Sequence, residues 1–118
     1  WLHRVELPPS AFVVVVTRGH THDFEAVRAM AARDLRYLGL IGSRAKVARI
    51  FDALEAEGMP LECLARVHAP IGLDIGAVSP AEIAISILAE LIAVRHGKDV
   101  SGLSMKWHRP SDRPPMNR

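Results

Sequence analysis

The sequence predicts an α/β fold with a mostly parallel sheet, either doubly wound or half of such a sheet. Short apolar segments alternate with helical patterns in the order βαβαβα, and this order implies parallel strands joined by right-handed crossovers. The first apolar segment, Phe12–Val16, has no polar alternation, which is typical of a central strand buried on both faces. We therefore expect a three-layer arrangement, with helices packed on the sheet.

The first two strand–helix units are marked by the spacing of their apolar residues. Phe12–Val16 is rich in strand-forming β-branched residues, and apolar residues recur at helical spacing from Phe24 onward. Tyr37–Ile41 is a second short apolar strand, and Arg44–Glu57 has the pattern of a second amphipathic helix. Gly58 follows as the stop signal of that helix.

The third unit ends in the most strongly marked helix of the chain. Pro60–Leu64 is predicted to form one helical turn, and Val67–His68 a third short strand. The helix Pro80–Arg95 then begins with two clear signals. Ser79 and Glu82 have the spacing of a capping box, and a proline occupies the first helical position.

The helix Pro80–Arg95 is apolar almost all round. Its interior polar residues are Glu82, Ser86 and Glu90, which are four apart and so form one narrow stripe. A helix with so little polar surface must be covered on most sides. We expect a homo-oligomer through this helix or a cover from a missing part of the protein, with Glu90 in an interface or paired with a cation such as Arg95.

Composition limits the class of protein. The chain has 118 residues, 49% hydrophobic and 24% charged, as expected for one core-forming soluble domain. Residues 1–100 are expected to form that domain, and the Pro- and Arg-rich residues 101–118 a flexible tail. Apolar runs are too short for a membrane span, and one Cys fits a reducing, cytoplasmic location. A net charge of +2 with 5% aromatic residues argues against nucleic-acid binding.

Three polar loops follow the predicted strands. They are residues 17–23, 42–46 and 70–76. In open parallel sheets, ligands bind beyond the carboxyl ends of the strands. All three loops are therefore expected to converge on one edge of the sheet.

The second loop makes the strongest case for an anion site. Gly42 lets a ligand approach the backbone, and the helix that begins after Ser43 offers free N–H groups and partial positive charge. Arg44 and Lys46 add full charges. The alternative is structural: Gly42 makes the turn, Ser43 caps the helix, and both cations are solvated.

The first loop contains candidate ligand contacts but no metal signature. Thr17, Arg18 and His20 are candidates for ligand contact. His22 and Asp23 could suggest a metal with His20, but the spacings of zinc sites are absent. Capping or structural roles are favoured for this pair, with Asp23 at the start of a helix.

The third loop has two glycines around an acid. Gly72 and Gly76 are candidates for positive φ, and Asp74 for either a turn role or a ligand role. Cys63, beside Leu61 and Leu64 in the sequence, is predicted to be a buried or inert thiol.

Three segments of the chain, taken together, resemble one known protein family. VVVVTRGHTHD, YLGLIGSRAK and HAPIGLDIGAVSPAEIAISILAELIAVRHG resemble, in order and spacing, the C-terminal domain of the XdhC/CoxF family. These are accessory proteins of xanthine dehydrogenase and related molybdenum hydroxylases. The resemblance runs from about Phe12 to Gly97, and the PIGLDIG turn followed by SPAEIA is its most specific part.

The resemblance implies a partial Rossmann-like fold and a chaperone of molybdenum cofactor rather than an enzyme. Such proteins bind molybdenum cofactor, assist its sulfuration by a cysteine desulfurase, and pass it to the apo-subunit of the hydroxylase. Their ligand carries a pterin, a phosphate and a metal centre, which suits the anion site of the second loop. The expected cofactor-binding residues are Thr17, Arg18, His20, Gly42, Ser43, Arg44, Lys46, Gly72 and Asp74, with no catalytic residue and no metal ligand assigned.

The sequence departs from the family pattern in two ways. It lacks the first Gly-rich βα unit and the N-terminal domain of the family, so the cofactor site is expected to be partial. Ala69 stands where relatives often have Cys, which excludes a thiol ligand there. Two other functions remain open: an NAD(P)-dependent oxidoreductase, against which the absence of G-x-G-x-x-G counts, and an assembly module built on the helix Pro80–Arg95.

Overall fold

The structure, a computed structural model, describes residues 5–16, 20–99 and 103–105. It is an α/β fold with a parallel sheet, consistent with part of a Rossmann-like domain, and so confirms the predicted fold class. Its elements in chain order are β1 (Phe12–Val15), α1 (His20–Ala31), β2 (Tyr37–Leu40), α2 (Arg44–Ala56), α3 (Leu61–Ala65), β3 (Val67–His68) and α4 (Pro80–Arg95).

The sheet has three parallel strands in the order β1-β2-β3. Phe12 pairs with Tyr37, and Leu38 pairs with Val67. The central strand is β2, and all four of its residues are buried. The expectation that the first strand is central is wrong for the described residues, in which β1 is an edge strand with Phe12 37% exposed. An apolar run indicates that a strand is hydrophobic, but it does not indicate how many strands pair with it.

The apolar core lies between α1, α2 and the sheet. The two helices contact each other, and α1 also contacts β1 and β2. Each helix turns its apolar stripe inward, as an amphipathic helix on a sheet must. The largest fully buried side chains of this core are those of Val27, Leu40, Val47, Phe51, Leu54, Leu64 and Val67.

The first helix begins earlier than its apolar spacing predicts. It starts at His20 rather than near Phe24, so much of the predicted first loop is helical. Asp23 lies in the first turn, as expected, and is fully buried. An ion pair between this carboxylate and Lys46 holds a turn that local propensity alone does not favour. Gly58, at φ 93°, follows α2 as the predicted stop.

The orientation of α4 is the main surprise of the fold. Its capping box is present, with Ser79 Oγ accepting from the N–H of Glu82 at 3.2 Å, as predicted. The predicted polar stripe also exists, but it faces the domain: the buried residues of α4 are Ser86 and Glu90. The apolar side of the helix faces outward.

Residues 103–105 fall within the predicted tail and are held against the third loop. Ser104 forms an antiparallel bridge with Leu73, and the N–H of Met105 donates to the carbonyl of Gly72 at 2.9 Å. Among the described helices, none has the length and apolar character needed to cross a membrane.

Candidate functional site

A cleft lies at the carboxyl edge of the sheet, where the second and third loops meet. Its volume is ≈ 320 Å³, and Gly42 and Asp74 both line it, together with apolar side chains such as Ile75, Ile83 and Met105. The start of the third loop continues the pairing of β3 with β2, because the N–H of residue 71 donates to the carbonyl of residue 40 at 3.1 Å. The predicted convergence is therefore present for these two loops.

The first turn of α2 stands beside this cleft. Ser43 is its N-cap, with φ −69° and ψ 161°, and the Ser43 hydroxyl accepts from the N–H of Lys46 at 3.2 Å. The capping role predicted for Ser43 is thus present. Arg44, exposed at the start of the helix, adds a guanidinium to the positive end of the helix dipole. This turn has the geometry of an anion site.

The ammonium group of Lys46 is bound by other groups of the protein. Its ammonium group forms an ion pair with the fully buried carboxylate of Asp23 and donates to the carbonyl of Ile41 at 3.0 Å. The side chain passes directly over Gly42, where a β-carbon would lie 2.8 Å from Lys46 Cδ. Lys46 therefore joins the first turns of α1 and α2, and its charge is balanced by Asp23 rather than solvated.

The third loop is anchored to α4 through Gly72. This residue has φ 103°, and its N–H donates to Glu90 Oε1 at 3.2 Å. A β-carbon there would lie 2.8 Å from Ser86 Oγ, so only glycine allows the loop to approach the helix this closely. Gly72 is not among the residues that line the cleft, whereas Asp74 lines it and is exposed. Gly76 also has positive φ, as predicted.

Glu90 is the centre of a buried polar network. It accepts from Tyr37 Oη at 2.6 Å and from Ser104 Oγ at 2.7 Å, and His68 Nδ1 lies 3.4 Å away. Burial alone would raise the pKa of Glu90, but these contacts and the Gly72 N–H outweigh burial and hold its pKa below the ordinary value. Burial and the bond to Glu90 raise the pKa of Tyr37.

Sequence reasoning finds this network only in part. The described partners of Glu90 do not include Arg95, the cation suggested for it. The polar stripe of α4 is the available signal, but it does not identify Tyr37, His68 or Ser104. The Tyr37 and His68 rings stack at 4.4 Å, so the network ties β2, β3 and α4 together under the third loop.

The predicted site residues occupy several kinds of position. Gly42 and Asp74 line the cleft, while Ser43, Arg44 and Lys46 form the adjoining turn of α2. Thr17 and Arg18 lie outside the described residues, and His20 is described only as the first residue of α1. Among the described residues, no three His, Cys, Asp or Glu side chains are grouped so that they could hold a metal ion.

The chain is similar to two curated bacterial proteins. It is 39% identical over 107 residues to the uncharacterised protein YqeB of Escherichia coli strain K12, a match covering 91% of this chain and 19% of that protein. It is 34% identical over 87 residues to a probable xanthine dehydrogenase subunit of Bacillus subtilis strain 168, covering 74% of this chain and 24% of that protein. The chain thus spans about a quarter or less of their length.

A solved structure and a family model agree with these matches. A crystal structure described as a xanthine dehydrogenase from Bacillus halodurans aligns with a TM-score of 0.67 and 31% identity, covering 85% of this chain and 28% of the other. The model of the XdhC Rossmann domain matches residues 2–91. The family resemblance seen in the sequence is confirmed, and the chain belongs to the XdhC family, whose Rossmann domain it carries.

Proposed function

We propose that this protein binds molybdenum cofactor as its cargo, at the carboxyl edge of the sheet, and serves the maturation of a xanthine dehydrogenase-type molybdenum hydroxylase. Membership of the XdhC family and the names of two relatives support a role related to xanthine dehydrogenase. The observation that carries the choice of site is the cleft between Gly42 and Asp74, which lies beside the first turn of α2.

The two ends of the cleft suit two parts of the ligand. The phosphate is assigned to the first turn of α2, where backbone N–H groups and the Arg44 guanidinium favour an anion. The flat pterin is assigned to the apolar side chains of Ile75, Ile83 and Met105. The Asp74 carboxylate at the rim accepts hydrogen bonds from ring N–H groups, as carboxylates do.

The size of the cleft sets how much of the ligand this chain covers. At ≈ 320 Å³ it lies near the lower end of the range for small-molecule sites, about 300 Å³. We infer that it holds only part of the cofactor, and that further contacts come from portions of the longer relatives that this chain does not match.

The chain is proposed to bind and deliver the cofactor rather than to transform it. Its one Cys, Cys63, lies on α3 and is not among the residues that line the cleft. As the family resemblance implies, the sulfur added during maturation is assigned to a cysteine desulfurase, and the receiving partner to the apo-subunit of the hydroxylase.

The proposal is tested by equilibrium titration of the protein with molybdenum cofactor released and kept under anaerobic conditions. Arg44→Ala is expected to weaken binding by roughly 10-fold or more, the usual loss for a charge-assisted hydrogen bond. Arg49→Ala is the matched control, since it removes an exposed guanidinium from the same helix one turn or more from the N-terminus. Equal loss in both variants, or no binding by the wild type, would contradict the proposed site.

A parallel titration with NADH tests one of the two alternatives, the oxidoreductase. An NAD(P)-dependent oxidoreductase would bind NADH in place of molybdenum cofactor and would turn over a hydride. Tight binding of NADH together with no binding of molybdenum cofactor would replace the chaperone proposal with the oxidoreductase.

A further inference from the structure

Residues 103–105, here called the strap, lie along the third loop beside the cleft. The N–H of Asp74 donates to the carbonyl of Leu103 at 2.5 Å, and the N–H of Met105 donates to the carbonyl of Gly72 at 2.9 Å. An antiparallel bridge joins the two segments between these bonds. The strap and the third loop therefore form a short two-stranded ribbon, in which each segment fixes the backbone of the other.

The strap forms part of the cleft wall through one side chain. Met105 lines the cleft, whereas Leu103 does not line it and is 53% exposed. Ser104 and Met105 are partly buried, so the strap removes little apolar surface from water. Its position therefore depends largely on its hydrogen bonds.

One hydrogen bond of the strap reaches past the third loop into the domain. Ser104 Oγ donates to Glu90 Oε2 at 2.7 Å, a short distance that is typical of a hydroxyl bound to a charged oxygen. Glu90 is fully buried, and its other oxygen, Oε1, accepts from the N–H of Gly72 at 3.2 Å. Because an ionised carboxylate accepts hydrogen bonds on both oxygens, this one side chain holds the strap and the third loop together.

Each of the two segments held by Glu90 carries a residue that lines the cleft. Gly72 is two positions before Asp74, and Ser104 is one position before Met105. Asp74 and Met105 both line the cleft. A shift of Ser104 is therefore passed to Met105 through a single peptide unit, and to Asp74 through the hydrogen bonds of the ribbon.

From these contacts, we propose that Ser104 is a positioning residue of the cofactor site, which acts through the strap to place Met105 against the pterin. The inference rests on the proposed function, because it adds Ser104 to the same site. Ser104 is not among the residues that line the cleft, so its effect on the cofactor runs through its neighbours. The inference goes beyond family membership, since the family model matches residues 2–91 and the strap lies after them.

Anaerobic titration with molybdenum cofactor tests this role. Ser104→Ala removes the hydroxyl and is expected to weaken cofactor binding roughly 10-fold, the usual effect of losing a hydrogen bond to a charged group. Ser104→Thr keeps a hydroxyl and should restore most of the lost affinity. The matched control is Ser10→Ala, which removes the hydroxyl of an exposed serine two residues before β1, at the opposite edge of the sheet, and should bind as the wild type does.

Hydrogen exchange of the ligand-free protein separates positioning from a general loss of stability. In Ser104→Ala the amides of Asp74 and Met105, whose bonds join the strap to the loop, should exchange roughly 10-fold faster. The amide of Ile71, which donates to β2, should exchange at the wild-type rate. A merely structural role of Ser104 would speed exchange at all three amides alike.

The outcomes distinguish this inference from the proposed function. A wild type that binds no molybdenum cofactor would contradict both the proposed function and the role of Ser104. The positioning role alone is overturned if the wild type binds and Ser104→Ala binds equally well, or if threonine restores nothing. Equal acceleration of exchange at all three amides, or none at Asp74 and Met105, would also overturn it.

Discussion

Helices α2 and α4 begin in nearly the same way but bury opposite kinds of side chain. Each has an extended serine N-cap, Ser43 or Ser79, whose hydroxyl accepts from the N–H of the third residue on at 3.2 Å. α2 buries its apolar side, with Val47, Ile50, Phe51 and Leu54 in the core. α4 buries Ser86 and Glu90 and leaves Ile85, Leu88 and Ile92 exposed.

This difference shows that cap signals fix where a helix starts but not which side faces the protein. α2 is oriented by the removal of apolar surface from water. α4 is oriented by hydrogen bonds to Glu90 from Tyr37 and Gly72. Apolar residues therefore orient α2, whereas polar residues orient α4.

The largest expected effect separates these two roles. Phe51→Ala removes a buried ring from α2 and should lower the free energy of unfolding by about 3–5 kcal/mol. Leu88→Ala, on the exposed side of α4, should change it by less than about 0.5 kcal/mol. Urea unfolding of the wild type and the two variants measures both changes. Similar losses in the two variants would show that Leu88 belongs to the core.

A somewhat smaller effect is expected at the start of α2. Lys46→Met leaves the Asp23 carboxylate buried without its cation and should cost about 3 kcal/mol. Adding Asp23→Asn removes the uncompensated charge, so the double variant should be more stable than Lys46→Met alone. A strictly additive loss in the double-variant cycle would mean that the two side chains do not interact.

The polar attachment of α4 should depend on pH. The pKa of Glu90 is lowered in the folded state from its ordinary value of 4.5, so its carboxylate stabilises the fold fully above that ordinary value. That contribution is lost as the pH falls through the lower, folded-state pKa. Glu90→Gln should therefore destabilise the protein at pH 7 by about 2 kcal/mol and by less in acid.

Unfolding free energies of both proteins across the acid range measure this difference. The pKa of Glu82 is also lowered, by the backbone N–H groups of Val78 and Ser79, but Glu82 is present in both proteins and its effect cancels in the difference. A gap between wild type and Glu90→Gln that stays constant down to acid pH would contradict a folded-state pKa below the ordinary value.

The sequence predicts local features well and long-range ones poorly. The starts of α2 and α4, with Ser43 and Ser79 as caps, depend on residues within one turn. The predicted start of α1 is too late because Asp23 is held by Lys46, 23 positions away, and no local pattern encodes that contact.

The candidate site shows the same limit. The Gly42 turn and the Asp74 loop are recognisable from residue type and from the strands before them. The attachment of the Asp74 loop is not, because it runs from the Gly72 N–H to Glu90 across 18 positions of sequence, and Glu90 is itself held by Tyr37 across 53 positions. Periodicity defines the polar stripe of α4 but not its direction, because a stripe facing in and a stripe facing out have the same spacing.

The most direct test of the proposed function is a map of where molybdenum cofactor contacts the ¹⁵N-labelled protein. Nuclear magnetic resonance spectra would be recorded during an anaerobic titration, and the shifts of backbone amides assigned. The largest shifts are expected at residues 42–46 and 74–75, on the two sides of the cleft. Shifts confined to the opposite, amino edge of the sheet, around Arg36 and Arg66, would contradict it.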